Sequence, residues 1–385
     1  MSELEDWEQL VKKQLKTENI YEILQKENIE NIDVKPYYHN NSEYKILPKI
    51  EESTHLVAEF QDGLSDQSFA FLLNENVENL DEKAIFINNS DLAEHILTEE
   101  SNRYFSLVDV FSDDFAGEID EHLTQELLSK SFERHICIDV SLHQNSGASV
   151  IQQLSFALAK AKELVEKFDS EILNQLMFKF AVCSNYFFEI AKIRAFKYLY
   201  NQFSKEFGKD LTPYIFVETS LRNKSKNDQD NNLIRSTLEL ASAMVGGADA
   251  VFANNYKIEN ATELSKEISF KQQIVLAYES IINVFEDATS GSYFVEDITQ
   301  QFCEKSWKLF LEIEEKGGYL ELLKSGEIQK MIFEQAVKEQ TCVEAGKIKI
   351  IGVNLYPKSE AKKTVSELYD AAEIKPVRLS EMFEW

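Results

Sequence analysis

The sequence predicts an α/β fold built on a parallel sheet, and three observations predict it. Short apolar runs recur through the middle of the chain, longer amphipathic stretches separate them, and only 12 Gly and 5 Pro punctuate 385 residues. Parallel strands need long, usually helical, crossovers, so apolar runs alternating with amphipathic helices are the mark of βαβ units. Scarce Gly and Pro argue against a turn-rich all-β chain and against long disordered linkers. An open doubly wound sheet and a closed eight-stranded barrel both fit this alternation at this length.

Each element carries its own signal. Trp7, Leu10, Val11 and Leu15, then Ile20, Ile23 and Leu24, recur at helical spacing and predict an amphipathic helical arm within residues 1–48. The polar NIENIDVKPYYHNNSEY joins that arm to the first apolar run. Seven apolar runs are strand candidates: HLVAEF (55–60), AIFIN (84–88), FSLVDV (105–110), HICIDVS (135–141), FKFAVC (178–183), PYIFVETS (213–220) and DAVFAN (249–254). Between them, residues 149–168, 185–207 and 231–245 carry the helical period. Residues 305–340 read as two helices divided at Gly317–Gly318, KIKIIGVNLYP (347–357) as extended, and the rest as a mixed tail. The expected organisation is an arm over 1–48, a strand–helix domain over 49–318, and C-terminal helices with a tail over 319–385.

Composition excludes several functions. The formal charge is −27, which repels phosphate backbones and anionic lipid, so neither nucleic acid nor membrane is an expected partner. No apolar run approaches the ~20 residues of a membrane span, and the charged amino-terminal MSELEDWEQLVKKQLK lacks signal-peptide character. Four scattered cysteines without a CxxC pair predict a reducing, cytoplasmic setting and no zinc site. Cys137 and Cys183 read as core residues, and Trp7 and Trp307 as packing anchors. No glycine-rich phosphate motif follows a strand. His143, in ICIDVSLHQNSGASVIQQL (136–154), falls between a strand end and a helix start, where α/β enzymes often place catalytic groups.

Four segments carry a resemblance: HQNSGASVIQQLSFALA (143–159), EIAKIRA (189–195), NNLIRSTLELASAMVGGADAVFAN (231–254) and DATSGSYFVEDITQQFCEKSWKLFLEIEEKGG (287–318). In that order and spacing they resemble the barrel domain of the methylmalonyl-CoA mutase family, the adenosylcobalamin-dependent acyl-CoA mutases, over about residues 5–357. The resemblance implies a (β/α)8 TIM barrel with an N-terminal helical arm. It also implies a family chemistry in which coenzyme A threads the barrel axis. Cobalamin, on a separate C-terminal domain, caps the mouth and supplies the radical.

The family's site residues are largely replaced. Its cobalt-ligating D-x-H-x-x-G has only a chance echo, Asp120-Glu121-His122, without the glycine, and the chain stops soon after the barrel. The resemblance therefore implies no cobalamin-binding domain and no cofactor bound by this chain. Aligned on Gly147-Ala148, the catalytic Tyr-His pair falls on Ser141 and Leu142, with His143 one position late. One residue of slip on a strand turns a side chain to the opposite face, toward the outer helices. In the G-G-T-Q-S-L-H-T-N signature the Gln becomes Asp249 and the His becomes Phe252, both expected at the mouth. Of H-x-Q-T-S-G-W only Thr219 and Ser220 survive, and the R-Q-Y-x-G clamp has no counterpart; the partial echo TEESNRY (98–104) is coincidence.

These losses resemble the non-catalytic small subunit of heterodimeric members of the family. The implied partner is a catalytic large subunit carrying adenosylcobalamin, over which the arm of residues 1–48 would lie. The vestigial mouth would comprise His143, Thr219, Ser220, Arg222, Phe252 and Asn254. Bulky Phe178, Phe180, Phe216 and Phe252 predict a plugged axis. The alternative is a catalytic barrel whose cobalamin domain lies on another chain, which the missing domain would suit but the replaced residues would not.

Overall fold

In the computed structural model, residues 3–39, 46–61, 63–64, 68, 70–77, 80, 82–95, 101–112, 116–356 and 359–384 are described. Parts of the joining segment near residue 40, of TEESNRY and of KIKIIGVNLYP lie outside them. Eight strands form one sheet: β1 His55–Glu59, β2 Ala70–Leu73, β3 Ala84–Ile87, β4 Arg103–Ser106, β5 Ile136–Asp139, β6 Leu176–Val182, β7 Tyr214–Thr219 and β8 Ala250–Phe252. Their order is β4-β3-β2-β1-β8-β7-β6-β5, and every pairing is parallel. The two ends meet through a Phe105–Arg134 bridge and the hydrogen bond from Cys137 N to Val108 O (3.0 Å), closing a (β/α)8 barrel.

Helices α1 Glu3–Leu15 and α2 Ile20–Leu24 make the arm. Around and beyond the barrel lie α3 Ser90–His95, α4 Glu121–Leu128, α5 Ser141–Asn145, α6 Val150–Phe168, α7 Tyr186–Lys205, α8 Gln229–Val245, α9 Glu263–Ile274, α10 Tyr293–Glu315, α11 Tyr319–Lys324, α12 Glu327–Glu344 and α13 Val365–Leu368. Local chemistry explains the best-formed starts. Ser149 and Gln152 form a capping box on α6, and Asp120 accepts from Leu123 N on α4. No helix among the described residues is long and apolar enough to cross a membrane.

Three sequence expectations change. The sheet gains β2, which none of the seven apolar runs covered. Residues 305–340 hold parts of three helices, because Gly326 at φ 81° breaks the run a second time. Residues 347–356 make turns with only an isolated Ile351–Leu355 bridge instead of an extended segment, since Ile350 and Val353 bury against α12 and the tail.

Candidate functional site

Strand parity sets what fills the axis. Val57, Leu72, Phe86, Phe105, Cys137, Met177, Tyr214, Phe216 and Ala250 form one buried cluster inside the ring. Phe86 lies 4.9 Å from Phe105 and 5.1 Å from Phe216, and Phe105 lies 4.9 Å from Tyr214, all ordinary aromatic packing distances. Rings from three strands thus meet across the axis, where a threaded coenzyme would need space. Phe216 and Phe252 face inward as expected. Phe178 and Phe180 do not: they pack outward against Phe196 of α7, so their place in the plug is taken by Phe86, Phe105 and Tyr214.

At the end where the strands begin, Arg103 closes the barrel. Its guanidinium reaches Glu51 at 2.8 and 3.0 Å and Glu133 at 2.6 Å, and stacks over the Phe105 ring at 5.3 Å. Hydrogen bonds from Arg103 hold the Glu133 carboxyl below its usual range. Asp249, expected at the mouth, also belongs to this end. Its carboxylate accepts from the backbone of Ile50 (2.7 Å), Glu51 (3.1 Å) and Ile215 (2.8 Å), tying the β1 entrance to β7. Burial raises its pKa against Lys197 and those donors. It immediately precedes β8, about 10 Å along the strand direction from Phe252.

The mouth holds an ion triad of which the sequence motifs touched only Glu218, at the Gln position of H-x-Q-T-S-G-W. Lys179 Nζ lies 3.0 Å from Asp139 and 3.2 Å from Glu218, all three only partly covered. Burial opposes the Lys179 ammonium, but Glu218 and Asp139 outweigh it and keep its pKa above the usual value. Burial lifts Glu218 more than Lys179 lowers it. Each triad member is the charged residue of an apolar strand, which is the signal that would have found it.

Ser141 and Leu142, at the family's catalytic pair, lie on α5 because β5 ends at Asp139; Ser141 N donates to Asp139 Oδ1 (2.8 Å). His143 is therefore on a helix and not a strand end. Strand parity does not govern it; a residue of offset there turns a side chain about 100°. It is fully buried, bonded to Tyr319 Oη at 2.8 Å and packed on Phe156 of α6, outside the barrel wall.

The other predicted residues knit loops together. Thr219 Oγ1 accepts from Asn254 N, and Asn254 Nδ2 donates to Thr219 O (2.6 Å). Ser220 donates to Asn145 Oδ1 (2.9 Å). Arg222 is buried: it pairs with Glu339 of α12 (2.7 Å), donates to Val377 O (2.6 Å), and its carbonyl accepts from Leu379 N. It clamps the C-terminal tail onto the β7 loop, while Phe252 alone of the set projects into the axis.

The segments that carry the resemblance meet in the shell. Lys192 donates to Gln144, Gln153 and Ala181 O and pairs with Glu189. Arg194 grips Asp287 through two bonds (2.9 and 3.0 Å) and Glu296 at 2.8 Å. A cleft of about 1280 Å³ lies between residues 22–33, the loops after β5 to β7, and α12; the inward-facing strand residues do not line it. Cys183 lines that cleft, its thiol pushed up to about 12 by burial, while Cys137 packs inside the barrel. Trp7 stacks on Tyr37 and Trp307 packs on Phe310.

Neither family group fits the matched residues. Asp120 is an N-cap and His122 sits exposed on α4, so this pair is no cobalt ligand set. The axis is occupied by rings. The fold and site together define a (β/α)8 barrel whose shell is intact and whose axis is packed. The methylmalonyl-CoA mutase family profile matches residues 124–384, and the chain belongs to that family. The match starts later and ends later than residues 5–357, the extent of the resemblance. The chain is 32% identical over 225 residues to a methylmalonyl-CoA mutase of Rhizobium meliloti, covering 55% of this chain and 32% of that protein. To the methylmalonyl-CoA mutase small subunit of Porphyromonas gingivalis it is 32% identical over 226 residues (55% and 37%). To the large subunit from the same organism it is 29% identical over 225 (55% and 32%). These alignments span about a third of each relative's length.

Proposed function

We propose that this chain is a non-catalytic small subunit of a methylmalonyl-CoA mutase, pairing with a large subunit that holds adenosylcobalamin and interconverts (R)-methylmalonyl-CoA and succinyl-CoA. One observation carries the reading: Phe86, Phe105, Tyr214 and Phe216 pack the axis beneath a mouth where Ser141 and Leu142 stand for the family's Tyr-His pair. Acyl-CoA chemistry needs an open path and a free donor at the thioester; rings fill the path, Leu142 has no donor, and the Ser141 hydroxyl is engaged by Asp139 and Glu218. What the chain keeps is a shell, and a shell can support a partner. The same-organism small and large subunits among the relatives support a pairing of this kind. Cytoplasmic residence goes with it.

The test is to express the chain with the large subunit cloned from the source cell and assay isomerisation with added adenosylcobalamin. Activity should require the large subunit, co-purify with this chain, and survive Lys179→Met in this chain. Isomerisation by this chain mixed only with a B12-binding domain on a separate polypeptide would replace this reading with the catalytic alternative.

A further inference from the structure

The barrel leaves one long apolar face bare. On α9 and the π turn Val275–Glu279 that extends it, Leu264 and half-buried Ile268 stand four apart and Val275 and Tyr278 three apart, with seven residues from Ile268 to Val275, so they share one side. Neighbouring α8 presents Ile234 and Leu238, four apart, and the Thr237–Gln272 hydrogen bond (2.7 Å) locks the two helices side by side. Ile281 continues the stripe. Apart from Ile268, these side chains are between 45% and 64% exposed.

Such a face is not the usual scatter of single apolar residues. Five aliphatic side chains and one tyrosine, each about half bare, make a patch on the order of 300–600 Å², about half of the roughly 800 Å² per partner of a standard interface. A second feature lies inside the patch. Ile281, a β-branched residue, holds φ at 54°, in the left-handed region that such residues avoid. Its side chain is bare, so packing within the chain does not compensate the strain. Lys271, within the stripe between Ile268 and Val275, is paired with Glu267, and Lys266 beside it with Glu59. The contact offered is therefore apolar. A second copy would bring another 27 net negative charges to it, which opposes self-association.

We propose that the face formed by α8, α9 and residues 275–285 docks the barrel of the catalytic large subunit, burying Leu238, Leu264 and Tyr278. This rests on the small-subunit reading above. The site is distinct from the arm, and it assigns the barrel wall its own share of the pairing.

The experiment uses the full chain with a tagged large subunit from the source cell. Leu238→Glu with Leu264→Glu, both at exposed positions, should lower capture at least tenfold, with circular dichroism and thermal midpoint unchanged. Leu311→Glu, at an exposed apolar position on α10, should be captured like wild type. Hydrogen exchange in the wild-type complex should slow across 263–281, which tests the face even if the double variant misfolds. Wild-type capture with equal capture of the double variant overturns this face alone. Failure to capture the wild type overturns the subunit reading. If the chain alone sediments as a dimer that the double variant dissolves, the occupant is a second copy and the proposal falls.

Discussion

The shell and the axis of this barrel have different histories written in their chemistry. In the shell, Arg194 and Lys192 are buried cations with full sets of partners, and each joins two of the segments that resemble the family. Along the axis the polar groups a threaded ligand would need are replaced by rings, and the mouth carries a self-satisfied ion triad. The difference teaches that the segments resembling the family make the contacts that hold helices to strands, whereas the axis is filled by packing.

The largest effect should come from breaking the shell. Arg194→Ala would leave Asp287 buried without its counter-charge, and removing one partner of a buried pair typically costs about 3–5 kcal/mol. Urea unfolding followed by circular dichroism measures it. A loss below about 1 kcal/mol would mean that the clamp is incidental and the comparison misplaced.

The axis comes next. Phe105→Ala removes a ring that touches Phe86 and Tyr214, and should cost about 3–4 kcal/mol in transfer and cavity terms. The informative readout is calorimetry with methylmalonyl-CoA. Opening the plug should give no binding, because the positions of the family's pair still hold Ser141 and Leu142. Binding by the variant would show that the rings alone exclude the ligand, and that the mouth keeps more of its old recognition than its residues suggest.

How much of this was legible in the sequence differs by region for physical reasons. Seven strands and the long helices were visible because burial imposes a period. β2 escaped because residues 60–69 are too few for a helical crossover, so strand–helix alternation gave no cue there. The outward turn of Phe178 and Phe180 was not legible, since a parallel strand is apolar on both faces and its phase is set by the closed ring. Asp249 was assigned to the wrong end because a motif gives an order along the chain, not a height along the axis. His143, included in the vestigial mouth, lies instead outside the wall against Tyr319 and Phe156, because the chain has already turned into α5 and strand parity does not govern it. Arg222 was placed in the vestigial mouth by its position in a loop after a strand; only the fold brings Glu339 and Val377 to it.

A smaller effect tests the mouth. Lys179→Met leaves Asp139 and Glu218 facing each other without the cation between them. Stability should fall by about 1–2 kcal/mol at pH 7, and by less at pH 5, because burial favours the protonated form of Glu218. Thermal melts at the two pH values measure the gap. Equal losses at both would mean that the triad is not electrostatically coupled.

The smallest effect concerns where the arm meets the shell. Residues 28–38 lie on this chain's own barrel: Val150 N donates to Glu30 (2.9 Å), Lys338 to Ile29 O (2.8 Å), and Lys35 pairs with Asp297. Burial raises the Glu30 carboxyl to about 8, against the Val150 donor and with help from Glu339 and Glu189. Between pH 4.5 and 8 the docked segment therefore keeps a proton that the released segment has lost. Its docking is strongest below pH 4.5 and weakens as pH rises through about 8. Glu30→Gln offers Val150 a neutral oxygen at every pH. Wild type and variant should match in acid and separate toward about pH 8.5, with the variant exchanging amide hydrogens more slowly over residues 28–34. A difference that does not change with pH would place the Glu30 carboxyl in contact with solvent, and the arm's hold on the shell would then rest on Lys35 and Lys338 alone.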